Sequence, residues 1–241
     1  MKIIANLDRR LVTAGEQSQR YLRVRVQAPE AESRSAKRLP LNLALVIDRS
    51  GSMSGTKLEK AKEAAIHCLR SLTGTDRAAI ITYDDEVRVV SPSRALTPET
   101  KNQLVQEVKN IGSGGSTNLG GGWLTGAGEV AKYAHEANYL TRVILFSDGL
   151  ANVGIVDNEE LFRHATELRQ RGVSTTTMGI GADFNEELLE GMAVKGGGHF
   201  YYIEEARQIP DFLHRELGEV LATWARQVTL ELRVPDGITA N

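Results

Sequence analysis

Wholly apolar runs, each closed by serine, glycine or aspartate, recur along the middle of the chain with amphipathic stretches between them. Leu43-Ala44-Leu45-Val46-Ile47 and Val143-Ile144-Leu145-Phe146 are apolar at every position. That is the pattern of strands buried on both faces, as in a parallel sheet. Residues 78–83, 173–178 and 199–203 read as further strands, and 86–90 as a short one, with Asp84-Asp85 at a hairpin turn. Between them lie helical patterns. Residues 57–72 place Leu58, Ala61, Ala65, Cys68, Leu69 and Leu72 on one face, and Thr73-Gly74 closes the stretch. Thr97-Pro98-Glu99 supplies a cap, a proline at the first helical position and an early acid. Residues 120–137 read as a helix despite their glycines, Asp157 to Glu160 has capping-box spacing before a helix that Gly172 ends, and Asn185 caps a short helix through Ala193. Ile209, Phe212, Leu213, Leu217, Val220 and Leu221 mark a closing helix. Strand–helix alternation predicts an α/β fold: a doubly wound, mostly parallel sheet with helices on both faces and one antiparallel hairpin at its edge.

The ends follow another pattern. Leu22, Val24 and Val26 alternate with polar residues, and so do Val228, Leu230, Leu232 and Val234. Strict alternation marks strands with one solvated face, usually antiparallel. The expectation is a small antiparallel β accessory piece built from the two termini. Residues 1–36 form its N-terminal β segment, 41–221 the α/β domain and 222–241 its C-terminal β segment, with the linker at 28–37. Pro235-Asp236-Gly237 is a turn signal, and the pattern resumes at Ile238, so a β-sandwich is expected to continue beyond Asn241.

Charge and composition narrow the function. Lys and Arg number 29 against 31 Asp and Glu, a formal net charge of −2, which excludes the basic excess of an electrostatic nucleic-acid binder. Lys57, Lys60 and Lys62 interleave with Glu59 and Glu63, the composition of a solvated helix face. Cys68 is the only cysteine, so no intrachain disulfide forms, and its apolar helix face reads as core. No apolar stretch reaches the ~20 residues of a membrane helix. Residues 1–10 lack a signal-peptide core, so a cytoplasmic location is expected.

The candidate chemistry sits directly after the first buried strand, in Asp48-Arg49-Ser50-Gly51-Ser52. The carboxyl edge of an open α/β sheet is where ligands bind. One carboxylate and two hydroxyls are hard oxygen donors, suited to Mg2+, Mn2+ or Ca2+. A glycine-rich loop, 112–118, carries Thr117, and Asp148-Gly149 follows the second buried run. Alone, Ser50 and Ser52 would read as a helix cap and Asp148-Gly149 as a turn. Together these residues resemble the von Willebrand factor type A domain. Its metal-ion-dependent adhesion site has Asp-x-Ser-x-Ser, then Thr, then Asp, matched here by Asp48, Ser50, Ser52, Thr117 and Asp148 over roughly residues 41 to 221.

The resemblance implies a metal centre holding Mg2+, or Mn2+ or Ca2+ in its place. Ser50, Ser52 and Thr117 would be hydroxyl ligands, direct or one water away, Asp48 an anchor of the first loop that either ligates through water or accepts the serine hydroxyl hydrogen bonds, and Asp148 a second charge acting through water. It further implies a protein partner whose Glu or Asp carboxylate completes the metal shell, which is recognition and not catalysis. Intracellular bacterial-type members look most similar, and these work beside ATP-driven remodelling machines. The last helix, 209–221, is the element that slides in such domains.

Two other classes compete. A haloacid-dehalogenase-like phosphatase needs a second aspartate two residues after the first. Ser50 stands there and does no acid–base work near neutral pH. A metal-free structural scaffold would keep the fold without the chemistry. Gly-Lys-Ser/Thr is absent from 112–118, so no P-loop is present, and neither serine lies in a nucleophile elbow. No catalytic residue is expected. Arg49 reads as surface, Asp84 and Asp85 as turn residues or an additional cation site, Asn118 as a loop residue and Trp123 as core. His67 and His135 lie on helices without partners at ligand spacing and read as surface or satisfied core histidines, and His199 opens a strand after Gly196-Gly197-Gly198.

Overall fold

The computed structural model describes residues 2–9, 19–27, 39–134, 136, 139–205, 208, 211, 212, 215 and 231. The expected strand at 228–234 lies outside these residues apart from Glu231, as does the closing helix at 209–221 apart from Asp211, Phe212 and Arg215. Two units are distinguished, the larger spanning Leu39–Leu221.

In the smaller unit, β1 (Lys2–Leu7) pairs antiparallel with β2 (Leu22–Gln27). Ile3 lies opposite Val26, Ala5 opposite Val24 and Leu7 opposite Leu22, so these apolar residues share one face. The alternation at 22–26 thus marks a real strand. Its described partner comes from the same end of the chain. The adjacent Ile3-Ile4 breaks period-2 alternation, which hid β1 from the pattern.

The larger unit runs β3 (Leu41–Asp48), α1 (Thr56–Ser71), β4 (Arg77–Tyr83), β5 (Val87–Ala95), α2 (Pro98–Lys109), α3 (Leu119–Ala131), β6 (Leu140–Ser147), α4 (Asn158–Gln170), β7 (Val173–Ile180), α5 (Glu186–Lys195) and β8 (Gly197–Ile203). Among the described residues the sheet order is β5-β4-β3-β6-β7-β8, parallel except for the β4–β5 hairpin. Leu43, Leu45 and Ile47 pack with α1 and α2 on one face. Ala44 and Val46 pack with Trp123, Leu161 and Leu188 of α3, α4 and α5 on the other. Each such leucine or isoleucine buried adds about 1.5–3 kcal/mol. This fixes β3, buried at all eight positions, as the central strand.

The topology positions the site. From β3 the chain passes to β4 on one side, while β6 lies on the other, which makes the β3 carboxyl end a switch point where loops diverge and leave a crevice. The register of Asp48 against Tyr83 and Ile47 against Phe146 brings the ends of β3, β4 and β6 level.

Cys68 is fully buried, and burial, reinforced by the negative charge of Asp76, pushes its thiol up to about 12. That is the inert core thiol its helix face predicts. No helix among the described residues is long and apolar enough to cross a membrane.

The glycines of α3 are contact residues. A Cβ at Gly126 would lie 2.4 Å from Val46 Cγ2, and one at Gly122 2.3 Å from the Tyr83 ring, so α3 rides directly on β3 and β4. Gly128 faces open space. Gly126→Ala should therefore lower the urea-unfolding free energy by about 1–3 kcal/mol through overpacking. Gly128→Ala should leave it unchanged or raise it by up to about 1 kcal/mol. Equal effects at the two positions would contradict the close packing of α3.

Candidate metal centre

Asp48 ends the central strand with no exposed surface. Its Oδ1 accepts the Ser50 amide at 2.9 Å, and its Oδ2 accepts the Ser147 hydroxyl at 2.6 Å and the Tyr83 hydroxyl at 3.1 Å. Burial pushes the Asp48 carboxyl up, hydrogen bonds from Ser147 and Ser50 pull it back down, and the negative charge of Asp148 adds to the rise. Burial holds the Tyr83 phenol well above its ordinary value, and the charge of Asp48 reinforces this, so it stays a donor.

Beyond Asp48 the chain turns sharply through a 3-10 turn at Gly51–Met53. Ser50 and Ser52 Oγ stand 3.2 Å apart, Ser50 buried and Ser52 at the surface. Two backbone bonds lace this loop to the glycine-rich one: Gly51 N donates to Gly115 O at 2.8 Å, and Gly114 N donates to Arg49 O at 2.6 Å. Arg49 forms an ion pair with Asp84 and donates to Gly112 O at 3.3 Å. Asp84 also receives the Gly115 amide at 3.4 Å, and its own carbonyl takes the Asn118 amide at 2.8 Å. A Cβ on Gly114 would lie 1.8 Å from Asp84 Oδ2, so glycine is required for this approach.

The third loop is tied in through Thr117, itself buried. Thr117 N donates to Asn152 Oδ1 at 2.8 Å, while the amides of Asn152 and Val153 donate to Thr117 O at 3.1 and 3.2 Å. Asp148, adjacent to the Ser147 that bonds Asp48, is fully buried. Its Oδ2 accepts Lys57 Nζ at 3.2 Å, and its Oδ1 the Leu150 amide at 3.4 Å. Lys57 also meets Asp183 at 2.7 Å. Burial draws the Lys57 ammonium down, but its bonds to Asp183 and Asp148 outweigh that and leave it raised, while the bond from Lys57 holds Asp183 low. The five motif residues thus meet at one sheet edge. Asp48, Ser50 and Ser52 are joined directly, while Thr117 is held by Asn152 and Val153 and Asp148 by Lys57 and Leu150.

Residues 42–215 match the family model of the von Willebrand factor type A domain. The chain belongs to the von Willebrand factor type A family. Among its relatives, YfbK of Escherichia coli is 30% identical over 205 residues, covering 84% of this chain and 35% of that protein. Human inter-alpha-trypsin inhibitor heavy chain H3 is 32% identical over 165 residues, covering 66% and 18%. The chain therefore spans about a third or less of the length of either relative. Of the solved structures, a von Willebrand factor type A protein from Catenulispora acidiphila superposes with a TM-score of 0.64 at 22% identity, covering 76% of this chain and 43% of that one. Proximal thread matrix protein 1 of the mussel byssus, solved with a zinc-occupied adhesion motif, superposes at 0.57 with 18% identity, covering 75% and 48%. At these identities the structures show a shared fold.

The donor set of this type A domain fits a hard divalent cation. Of the two fully buried carboxylates only Asp148 meets a lysine, and that lysine is divided with Asp183, so negative charge remains at a site that carries hydroxyls. Both Asp48 oxygens are engaged by protein donors, which suits a residue that orients the loop and reaches a metal through water. Among the described residues no group of three or more His, Cys, Asp or Glu side chains gathers as an alternative site.

Two readings from the sequence are corrected. Arg49 is not a free surface residue, because Asp84 is buried and draws it across the loop. Lys57 leaves the solvated helix face for Asp148. Asp84 sits in the hairpin turn, as expected, and its carboxylate serves Arg49 and Gly115. Asn118 caps α3 by accepting the Gly121 amide at 3.0 Å, and Trp123 is core, its Nε1 donating to Thr175 at 3.1 Å. Tyr83, Ser147 and Asn152 escaped the sequence reading. The only signal was position, since Tyr83 and Ser147 end the strands flanking Asp48.

Breaking one partner of a buried ion pair strands the other charge. Arg49→Leu should therefore cost about 2–4 kcal/mol in urea unfolding, reduced from a fully buried pair because Arg49 keeps some exposure. Arg49→Leu with Asp84→Leu should cost less than the sum of the single changes. Additive costs would show that the pair does not act as a unit.

Proposed function

We propose that this type A domain is a divalent-metal-dependent protein–protein interaction module that grips an acidic side chain of a partner. The observation carrying the reading is the buried oxygen cluster at the carboxyl edge, in which three separate loops are hydrogen-bonded into one frame. Ser50, Ser52 and Thr117 would hold the cation, with Asp48 and Asp148 supplying charge through water. Neutral hydroxyls leave most of a cation's charge uncompensated, and Mg2+, which prefers six oxygen ligands, is the ion best matched, with Mn2+ or Ca2+ as substitutes. The bound ion would supply Lewis acidity toward a partner's Glu or Asp carboxylate. The chain's own residues do the rest. Asp48 fixes the turn through the Ser50 amide, Gly51 and Gly114 bring the second loop close, and Asn152 sets Thr117. The reading is non-enzymatic: Ser50 occupies the position where a phosphatase of this topology needs a titrating acid. Association with an ATP-driven remodelling system is drawn from the likeness to bacterial members alone.

The metal-free scaffold is the second reading, and one observation favours it. Lys57 already places a positive charge on Asp148.

Calorimetric titration of Mg2+ and Mn2+ into the parent chain should show one saturable site. Asp48→Ala and Asp148→Ala should abolish it, and Thr117→Ala should weaken it by on the order of tenfold or more. Saturable binding that survives all three changes would place the metal elsewhere and overturn the reading.

A further inference from the structure

We infer that Lys57 is a displaceable counter-ion of the metal centre, which neutralises Asp148 in the metal-free protein and is retained by Asp183 when a cation enters. The inference rests on the metal-centre reading and specifies how that centre is regulated. Lys57 is the second residue of α1, where the helix dipole disfavours a cation. Only specific partners can hold an ammonium there, and the two present differ sharply. Asp148 is fully buried at 3.2 Å, whereas the Asp183 carboxylate is 70% exposed at 2.7 Å.

The β7–α5 loop is shaped to pass the Lys57 stem between them. Gly181 has φ +93°, and a Cβ there would lie 2.5 Å from Lys57 Cε and 3.3 Å from Asp183 Oδ1. An alanine at 181 would be strained and would also close the channel. The lysine is therefore built in from both sides, and its ammonium competes with a metal for the charge of Asp148. When a cation takes over that charge, Lys57 keeps Asp183 within reach and needs no large movement. The pairing that favours a metal-free scaffold is on this account the resting state of a metal site.

Electrostatics then requires opposite effects at the two partners of the switch. Lys57→Met removes a repelling charge and should tighten Mn2+ binding, on the order of tenfold. Asp183→Asn takes away the alternative seat, leaves the ammonium on Asp148 and should weaken Mn2+ binding several-fold. Lys57→Arg should stay close to the parent. A merely structural lysine would weaken binding in both variants.

The test is calorimetric titration of Mn2+ into the parent and these three variants. A double-mutant cycle of Lys57→Met with Asp148→Asn on urea unfolding in EDTA accompanies it. Tighter binding in Lys57→Met, weaker binding in Asp183→Asn and non-additive unfolding in EDTA support the inference. Parent binding with Lys57→Met unchanged or weaker overturns the counter-ion role alone. Additive unfolding in EDTA overturns the resting pair. No saturable binding by the parent overturns the metal centre and the switch together. Asp183 is a surface residue, so its variant keeps the test decisive if Lys57→Met does not fold.

Discussion

A carboxylate without exposed surface at the end of the central strand governs the architecture of this domain. Asp48 has no solvent to stabilise its charge, so three protein donors from three segments converge on it. Satisfying it requires Tyr83 at the end of β4, Ser147 at the end of β6 and a tight turn at Ser50, which in turn requires β3, β4 and β6 to finish level. The parallel register, the three converging loops and the placement of the hydroxyls all follow from that requirement. An unsatisfied buried carboxylate would be far more costly than any single packing defect in the surrounding core.

The fold was largely legible because strands buried on both faces are dominated by apolar and β-branched residues. β3 and β6 declare themselves as apolar runs, and Asp157, Thr97 and Asn185 each cap a helix as their residue types suggest. Legibility failed where burial is polar. β5 continues to Ala95 through Ser91-Pro92-Ser93, which reads as loop, yet Ser93 is buried and donates to Asn42 Oδ1 at 3.0 Å. Proline is tolerated because β5 is an edge strand. The helix read at 120–137 runs over Leu119–Ala131.

The candidate site divides in the same way. The five motif residues could be read from residue type and spacing. The groups that hold them could not, because each partner lies far away along the chain: Tyr83 is 35 residues from Asp48, Ser147 is 99 and Lys57 is 91 from Asp148. Arg49 shows why composition misleads. As one residue in a polar turn it looks solvated, and only the buried Asp84, brought near by the hairpin, gives it a role. The structure therefore adds a charge network around the motif. That network meets Asp48 with neutral donors alone and Asp148 with a lysine divided with Asp183, which leaves the cluster short of positive charge.

The most direct test is anomalous diffraction from crystals of the parent chain soaked in Mn2+. The account predicts a single strong peak within bonding distance of Ser50 and Ser52 Oγ, with Thr117 in the same shell and Asp148 reached through one water. A peak elsewhere on the molecule, with the Asp48 cluster unchanged, would contradict it.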